Sequence, residues 1–329
     1  MTFIGSYTSG TSGGRGLELA ERGADGALTR RRVLDGIADV SFFAWSPDGK
    51  FLYLTNENAQ GSITAIDVRG EPTVRGSVSS GGAGPTHLTA HPNGKFLLTA
   101  NYTDGTVAVH RLAPNGTLGE NTDLIQHPGA EPHAHQVVVD PSGRWVLAVD
   151  LGADSVFIYA LRDGRLVENQ RLELPAGTGP RHLAFHGDRA YLLNELASNI
   201  IVLDFDAQTG RLTAGQVVSS RAPGASGENF PAEIAVSRDG SFVYASNRGD
   251  NDIAVFATTP GGLEFRSVTP TGGDWPRFCA LDPAESSLYV ANQRSGTITR
   301  LTRDPGTGSL APTSDEYACP SVAALTFGR

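Results

Sequence analysis

GTGPRHLAFHGDRAYLLNEL, residues 177–196, decides how the chain reads. Leu183, Ala184 and Phe185 form a short apolar run, Gly187-Asp188 is a turn pair, and residues 190–193 form a second apolar run. The pattern is strand, turn, strand. Antiparallel strands joined by a tight turn bring their far ends together. Arg181 and His182, which open the first strand, are therefore expected near Glu195, just past the end of the second. One hairpin edge thus gathers two potential cations and a carboxylate.

The rest of the chain repeats this hairpin. The turns are Ser46-Pro47-Asp48-Gly49, His91-Pro92-Asn93-Gly94, Asp140-Pro141-Ser142-Gly143, His186-Gly187-Asp188, Ser237-Arg238-Asp239-Gly240 and Asp282-Pro283-Ala284. Aligned on Pro47, Pro92, Pro141, Gly187, Arg238 and Pro283, they recur at steps of 45, 49, 46, 51 and 45 residues. Each is followed by an apolar run (FLYLTN, FLLTAN, WVLAVD, AYLLNE, FVYASN, SLYVAN). A polar turn, a third run and, in most units, a weaker fourth strand such as GRLVENQRLEL come next. Four strands at this period predict an all-β, seven-bladed β-propeller with four-stranded antiparallel blades. Six units are complete. Residues 2–7 match a second strand, 17–21 a third and 321–327 a first, so the last blade is expected to close with strands from both termini. Closure removes a free sheet edge. A single domain over residues 1–329 is expected, and no WD or kelch signature is present.

Composition agrees with many short strands: 40 Gly, 19 Pro, 1 Met, and no sustained helical periodicity. The net charge of −9 argues against a nucleic-acid binder or an anionic-membrane binder, either of which needs a basic face. No apolar stretch approaches a membrane span, and the N-terminus lacks a leader pattern. Cys279 and Cys319 fit no metal or redox spacing and read as buried apolar residues of a reducing compartment. A cytoplasmic protein without a cofactor is expected.

In a propeller, the start of each first strand and the end of each second strand open on one face. Counting back six from each anchor gives Ser41, Thr86, His135, Arg181, Ala232 and Arg277, with Ser321 in the closing blade. Counting back five gives Phe42, His87, Gln136, His182, Glu233, Phe278 and Val322, and His133 lies just before its strand. Tyr7, Glu57, Tyr102, Leu151, Glu195, Arg248 and Gln293 follow the second strands. An acidic chain that collects His87, His133, His135, His182, Arg181, Arg248 and Arg277 at one channel mouth would focus anions there. The expected guest is a small anion with phosphate or carboxylate, which arginine binds in bidentate fashion. Glu195 and Glu233 are candidate bases. Structural readings stand beside these: His87 as a hydrogen-bonded strand residue, Arg277 stacked on Trp275, and Glu233 paired to an arginine of a neighbouring blade. The recurrent Asn56, Asn101, Asn194, Asn247 and Asn292 read as turn chemistry. Residues that break the repeat are stronger candidates, which ranks His135, Arg181, Glu195 and Arg248 first.

The wording of the repeats, GPTHLTAHPNGKFLLTANYTDGTVAVHRL, PHAHQVVVDPSGRWVLAVDLGADSVFIY, GPRHLAFHGDRAYLLNEL, AEIAVSRDGSFVYASNRGDNDIAVF and WPRFCALDP, closely resembles the lactonase-type seven-bladed propellers. That family includes bacterial propeller 6-phosphogluconolactonases and fungal carboxymuconate lactonising enzymes. The likeness runs from GSYTSG, residues 5–10, to the closing strand. It implies a site built from His135 of PHAHQV with His133 near, Arg181 of GPRH, Glu195 of NEL and Arg248 of SNRG. His133, His182, His87, Glu233 and Arg277 are expected to bind substrate. The activity implied is metal-independent hydrolysis of a small sugar lactone, 6-phosphoglucono-1,5-lactone of the pentose phosphate pathway foremost. Either Glu195 or His135 would serve as base, while Arg181 and Arg248 hold an anionic group or oxyanion. Cycloisomerisation of a carboxymuconate and a non-catalytic binding module are the alternatives. No nucleophile motif of the GxSxG type occurs.

Overall fold

The computed structural model describes residues 1–9 and 13–328, so Gly10, the last residue of GSYTSG, lies outside the described residues. The described residues contain no helix and form seven four-stranded antiparallel sheets, the blades of the expected propeller class. Six sheets take their strands in chain order. They run from Val40–Trp45 to Thr73–Ser79, Pro85–Ala90 to Leu118–Gln126, Ala134–Val139 to Arg165–Glu173, Pro180–His186 to Arg211–Ser219, Phe230–Val236 to Gly262–Pro270, and Pro276–Leu281 to Leu310–Ala318. The seventh is ordered Val322–Phe327, Thr2–Ser6, Leu17–Arg22, Leu28–Leu34, with Thr2 opposite Phe327 and Ile4 opposite Leu325. Closure from both ends is as expected.

The chain divides into two compact units: Met1–Ala38, His182–Leu203 and Ala214–Arg329 in one, Asp39–Arg181 and Asp204–Thr213 in the other. Within the first unit, apolar clusters bridge consecutive sheets. Tyr191, Leu193, Val243 and Phe256 form one, Tyr244, Val255, Val290 and Leu301 the next, and Ile4, Tyr289, Ile298 and Leu325 a third. In the second unit the same role falls to Leu98, Val109, Val146 and Phe157, and to Phe51, Tyr53, Leu88 and Leu97. These residues come from the second and third strands, whose two faces are both covered, so they read as continuous apolar runs.

A second device joins sheets. The ring that opens a second strand lies against a glycine in the turn before a neighbouring sheet's fourth strand. Phe51 meets Gly116 and Trp145 meets Gly210 in one unit, and Phe242 meets Gly308 in the other. Tyr53 and Tyr244 donate to the carbonyls of the same glycines, Gly116 at 3.3 Å and Gly308 at 3.0 Å. Both glycines have positive φ, 78° and 71°, and a Cβ there would come within 2.3 Å of the facing ring.

Candidate functional site

The start of each first strand is bulged wherever its pairing is defined. Register shifts fall between Val40 and Phe43, Pro85 and His87, Ala134 and Gln136, Pro231 and Ile234, and Pro276 and Phe278. The residues skipped there are Ser41 with Phe42, Thr86, His135, Ala232 with Glu233, and Arg277, which belong to the slots singled out in the sequence; in the closing strand the skipped residue is Ala323, one beyond its slot. A bulge leaves the extra residue outside the ladder and re-aims its side chain, so the repeat contains a built-in place for functional groups.

In the first unit, Arg248 ends the strand Phe242–Arg248 and is the centre of a polar cluster. Its Nη2 lies 2.5 Å from Glu195 Oε2, with only 6% and 19% of the two side chains exposed. Its Nε donates to Phe230 O at 2.8 Å and its Nη2 to Pro231 O at 3.4 Å. Burial pulls the Arg248 pKa down, Glu195 opposes that, and the positive charge of Arg277 adds to it. Arg277 lies over the Tyr7 ring at 5.5 Å. Beside this cluster, His182 Nδ1 and Glu233 Oε1 are 2.9 Å apart and both groups are buried. Glu233 Oε1 also accepts from the Ile234 amide at 3.0 Å. Glu233 thus meets a histidine of the preceding sheet.

Trp275 differs from the sequence reading. The indole is 5.3 Å from the Arg248 guanidinium and 3.4 Å from that of Arg294, whereas Arg277 is over Tyr7. Residues two apart share a face only on a regular strand. Trp275 precedes its strand with φ +67°, so that rule fails between 275 and 277. This backbone is held by Trp275 N donating to Asn251 Oδ1 at 2.9 Å and by Gln293 N donating to Trp275 O at 3.0 Å.

In the second unit, the histidines gather on Tyr102. His133 stacks on its ring at 4.4 Å and 10°, with Nδ1 2.9 Å from Tyr102 O. His135 meets the same ring edge-on at 5.6 Å. The His135 carbonyl accepts from Thr86 Oγ1 at 3.0 Å, which links two bulges. Asp150 accepts from the His133 amide at 2.8 Å and pairs with His127 at 2.7 Å, fixing this corner. His87 packs against Phe42 at 3.9 Å, and Arg181 is buried on the strand Pro180–His186.

The recurrent asparagines brace turns, as expected. Asn247 Nδ2 donates to Asp252 at 2.8 Å, Asn101 Nδ2 to Thr106 Oγ1 at 3.0 Å, and Asn292 Nδ2 to Thr299 Oγ1 at 3.0 Å. Both cysteines are buried free thiols. Arg294 escaped the sequence reading because it lies one residue beyond the slot counted after each second strand. The available signal was Trp275 itself. Eight residues before the anchor, the chain has positive φ at Asp39, Gly84, Gly179 and Trp275. Tryptophan is costly where glycine is free to adopt that backbone.

Seven sheets of this order define a β-propeller, with charged side chains gathered at its bulged slots. The chain belongs to the family described as "Lactonase, 7-bladed beta-propeller", whose model it matches over residues 1–327. It is 31% identical over 341 residues to the 6-phosphogluconolactonase of Bacillus subtilis (strain 168), covering 99% of this chain and 97% of that protein. The periplasmic gluconolactonase of Pseudomonas aeruginosa is similar in structure, with a TM-score of 0.93, 29% identity and coverage of 100% and 98%. So is a putative 6-phosphogluconolactonase of Bacteroides fragilis NCTC 9343, with a TM-score of 0.90, 28% identity and coverage of 99% and 96%.

Proposed function

We propose that the protein hydrolyses a small sugar lactone, 6-phosphoglucono-1,5-lactone, to 6-phosphogluconate. The observation that carries this reading is the Glu195–Arg248 pair, held at 2.5 Å and largely enclosed, with Arg277 close enough to act on Arg248. A carboxylate can accept a proton, and fixed guanidinium groups can meet negative charge. A water oxygen bonds to the lactone carbonyl carbon while its proton passes to Glu195. The carbonyl oxygen becomes an oxyanion that an arginine stabilises. Collapse of the intermediate breaks the ring C–O bond, and the departing ring oxygen takes the proton. Arg181, His135 and His133 enter this proposal through the family motifs they occupy. The names of the Bacillus and Pseudomonas relatives support a sugar lactone as substrate.

The reaction needs only water as co-reactant, and the proposal is metal-independent. The test is the opening of freshly prepared 6-phosphoglucono-1,5-lactone against its spontaneous rate, with glucono-1,5-lactone in parallel and a chelator in matched samples. Acceleration that survives the chelator is expected. Failure to accelerate either lactone overturns the hydrolase reading, and loss of activity on chelation with rescue by a divalent ion overturns metal independence.

A further inference from the structure

We propose that Arg294, placed over the Trp275 ring, is the phosphate-recognising arm of the Arg248 site and makes it prefer a phosphorylated ligand to the same ligand without phosphate. This rests on the sugar-lactone reading and adds to it the residue that selects the substrate. The Arg294 guanidinium is 3.4 Å from the centre of the Trp275 indole. Its side chain is exposed, and it makes no ion pair among the described residues. Most other arginines of the unit are committed to carboxylates: Arg22 to Asp282, Arg30 to Glu18, Arg221 to Asp250, Arg248 to Glu195 and Arg300 to Asp315. A guanidinium over an indole spends none of its N–H donors on the ring edge and leaves them open to a dianion.

The same indole meets Arg248, so two guanidinium groups share one ring, 3.4 and 5.3 Å from its centre. Trp275 is bought at a backbone disadvantage, since its φ of +67° belongs to a slot that Gly84 and Gly179 occupy elsewhere in the repeat. The indole is what glycine cannot supply: it packs against Phe230, 5.9 Å between ring centres, and carries the pair of arginines.

The test is calorimetric binding of 6-phosphogluconate and gluconate to the full-length protein and to Arg294→Gln, Trp275→Gly and Trp275→Phe. The wild-type protein is expected to bind 6-phosphogluconate at least ten-fold more tightly than gluconate. Arg294→Gln and Trp275→Gly should bring that ratio close to one, while Trp275→Phe, which keeps a ring under the guanidinium, should retain part of it. An unchanged ratio in Arg294→Gln overturns the proposal, as does a wild-type ratio of one. Preferential binding without lactone turnover supports the arm and overturns the hydrolase reading instead, so the two fail separately.

Discussion

Glu195 and Arg248 illustrate how much a single pair can be asked to do. The carboxylate is fixed by the guanidinium, and the guanidinium is fixed in turn by two backbone carbonyls and an indole. Replacing Glu195 by Gln keeps the shape and removes the base. The expected result is a loss of about 100-fold or more in kcat, the range for a positioned general base, with a smaller change in KM. Arg248→Lys keeps the charge but cannot reach Glu195 and the Phe230 and Pro231 carbonyls together. It is expected to lower kcat/KM by a similar factor, with KM rising as well. Steady-state kinetics on the phosphorylated lactone, corrected for spontaneous opening, checks both. Wild-type turnover in Glu195→Gln would remove that residue from the role of base. Both residues were legible in the sequence because they interrupt a repeat. The Trp275–Arg294 stack was not, because it depends on the sign of one φ angle and on a through-space contact that strand periodicity cannot express.

At the scale of the element, the three inner strands of each blade were legible and the fourth only faintly. The reason is burial. Phe51–Asn56 and Ser287–Asn292 are buried along their whole length, so their sequences are mostly apolar. Thr73–Ser79 and Arg211–Ser219 are mostly exposed and carry polar residues, which blurs the two-residue alternation. The bulges were invisible as such, yet their positions were counted correctly, since an inserted residue recurs at a fixed distance from each turn. The glycines under the aromatic rings yield a prediction at this scale. Gly116→Ala and Gly308→Ala each place a Cβ within 2.3 Å of a ring and force alanine to positive φ. A left-handed backbone costs a non-glycine residue roughly 1–2 kcal/mol, and overpacking roughly 1–3 kcal/mol. Each variant is expected to lose more than about 2 kcal/mol in urea unfolding by these terms. Gly36→Ala, where positive φ is present but no atom lies within 4 Å, should lose about half as much. Equal losses at all three positions would show that the ring contact contributes nothing.

At the scale of the whole molecule, nearly all strand pairing is between neighbours in the chain, and the pairing of Thr2–Ser6 with Val322–Phe327 is the exception. Contacts between chain ends form late and at a high entropic cost, so the closing sheet needs reinforcement of its own. Glu18 supplies it. Its side chain is fully buried; Arg30 Nε lies 2.5 Å from Oε2, the Tyr317 hydroxyl donates to Oε2 at 2.7 Å, and Cys319 Sγ is 3.5 Å from Oε1. Arg30 also donates to Ala318 O at 2.7 Å. These bonds tie the closing sheet to the strand Leu310–Ala318 of the sheet before it. Burial, reinforced by the Glu18 carboxylate, pushes the Cys319 thiol far above its usual pKa, and burial does the same at Cys279. Both thiols are therefore inert in the folded protein, and Cys319 becomes a reporter of opening at the closure. Removing one partner of a buried charged group leaves the others unsatisfied. Glu18→Gln should thus raise the rate at which a thiol reagent modifies Cys319 by about ten-fold, a difference of about 1.4 kcal/mol in opening at 25 °C, with little change at Cys279. Tyr317→Phe keeps the Glu18 charge beside the thiol and should raise the Cys319 rate by a smaller factor, which separates opening from a direct effect on thiol ionisation. Peptide mapping after timed labelling measures both sites, and equal acceleration at Cys279 and Cys319 would show that the network stabilises the molecule globally and has no special part in closing it.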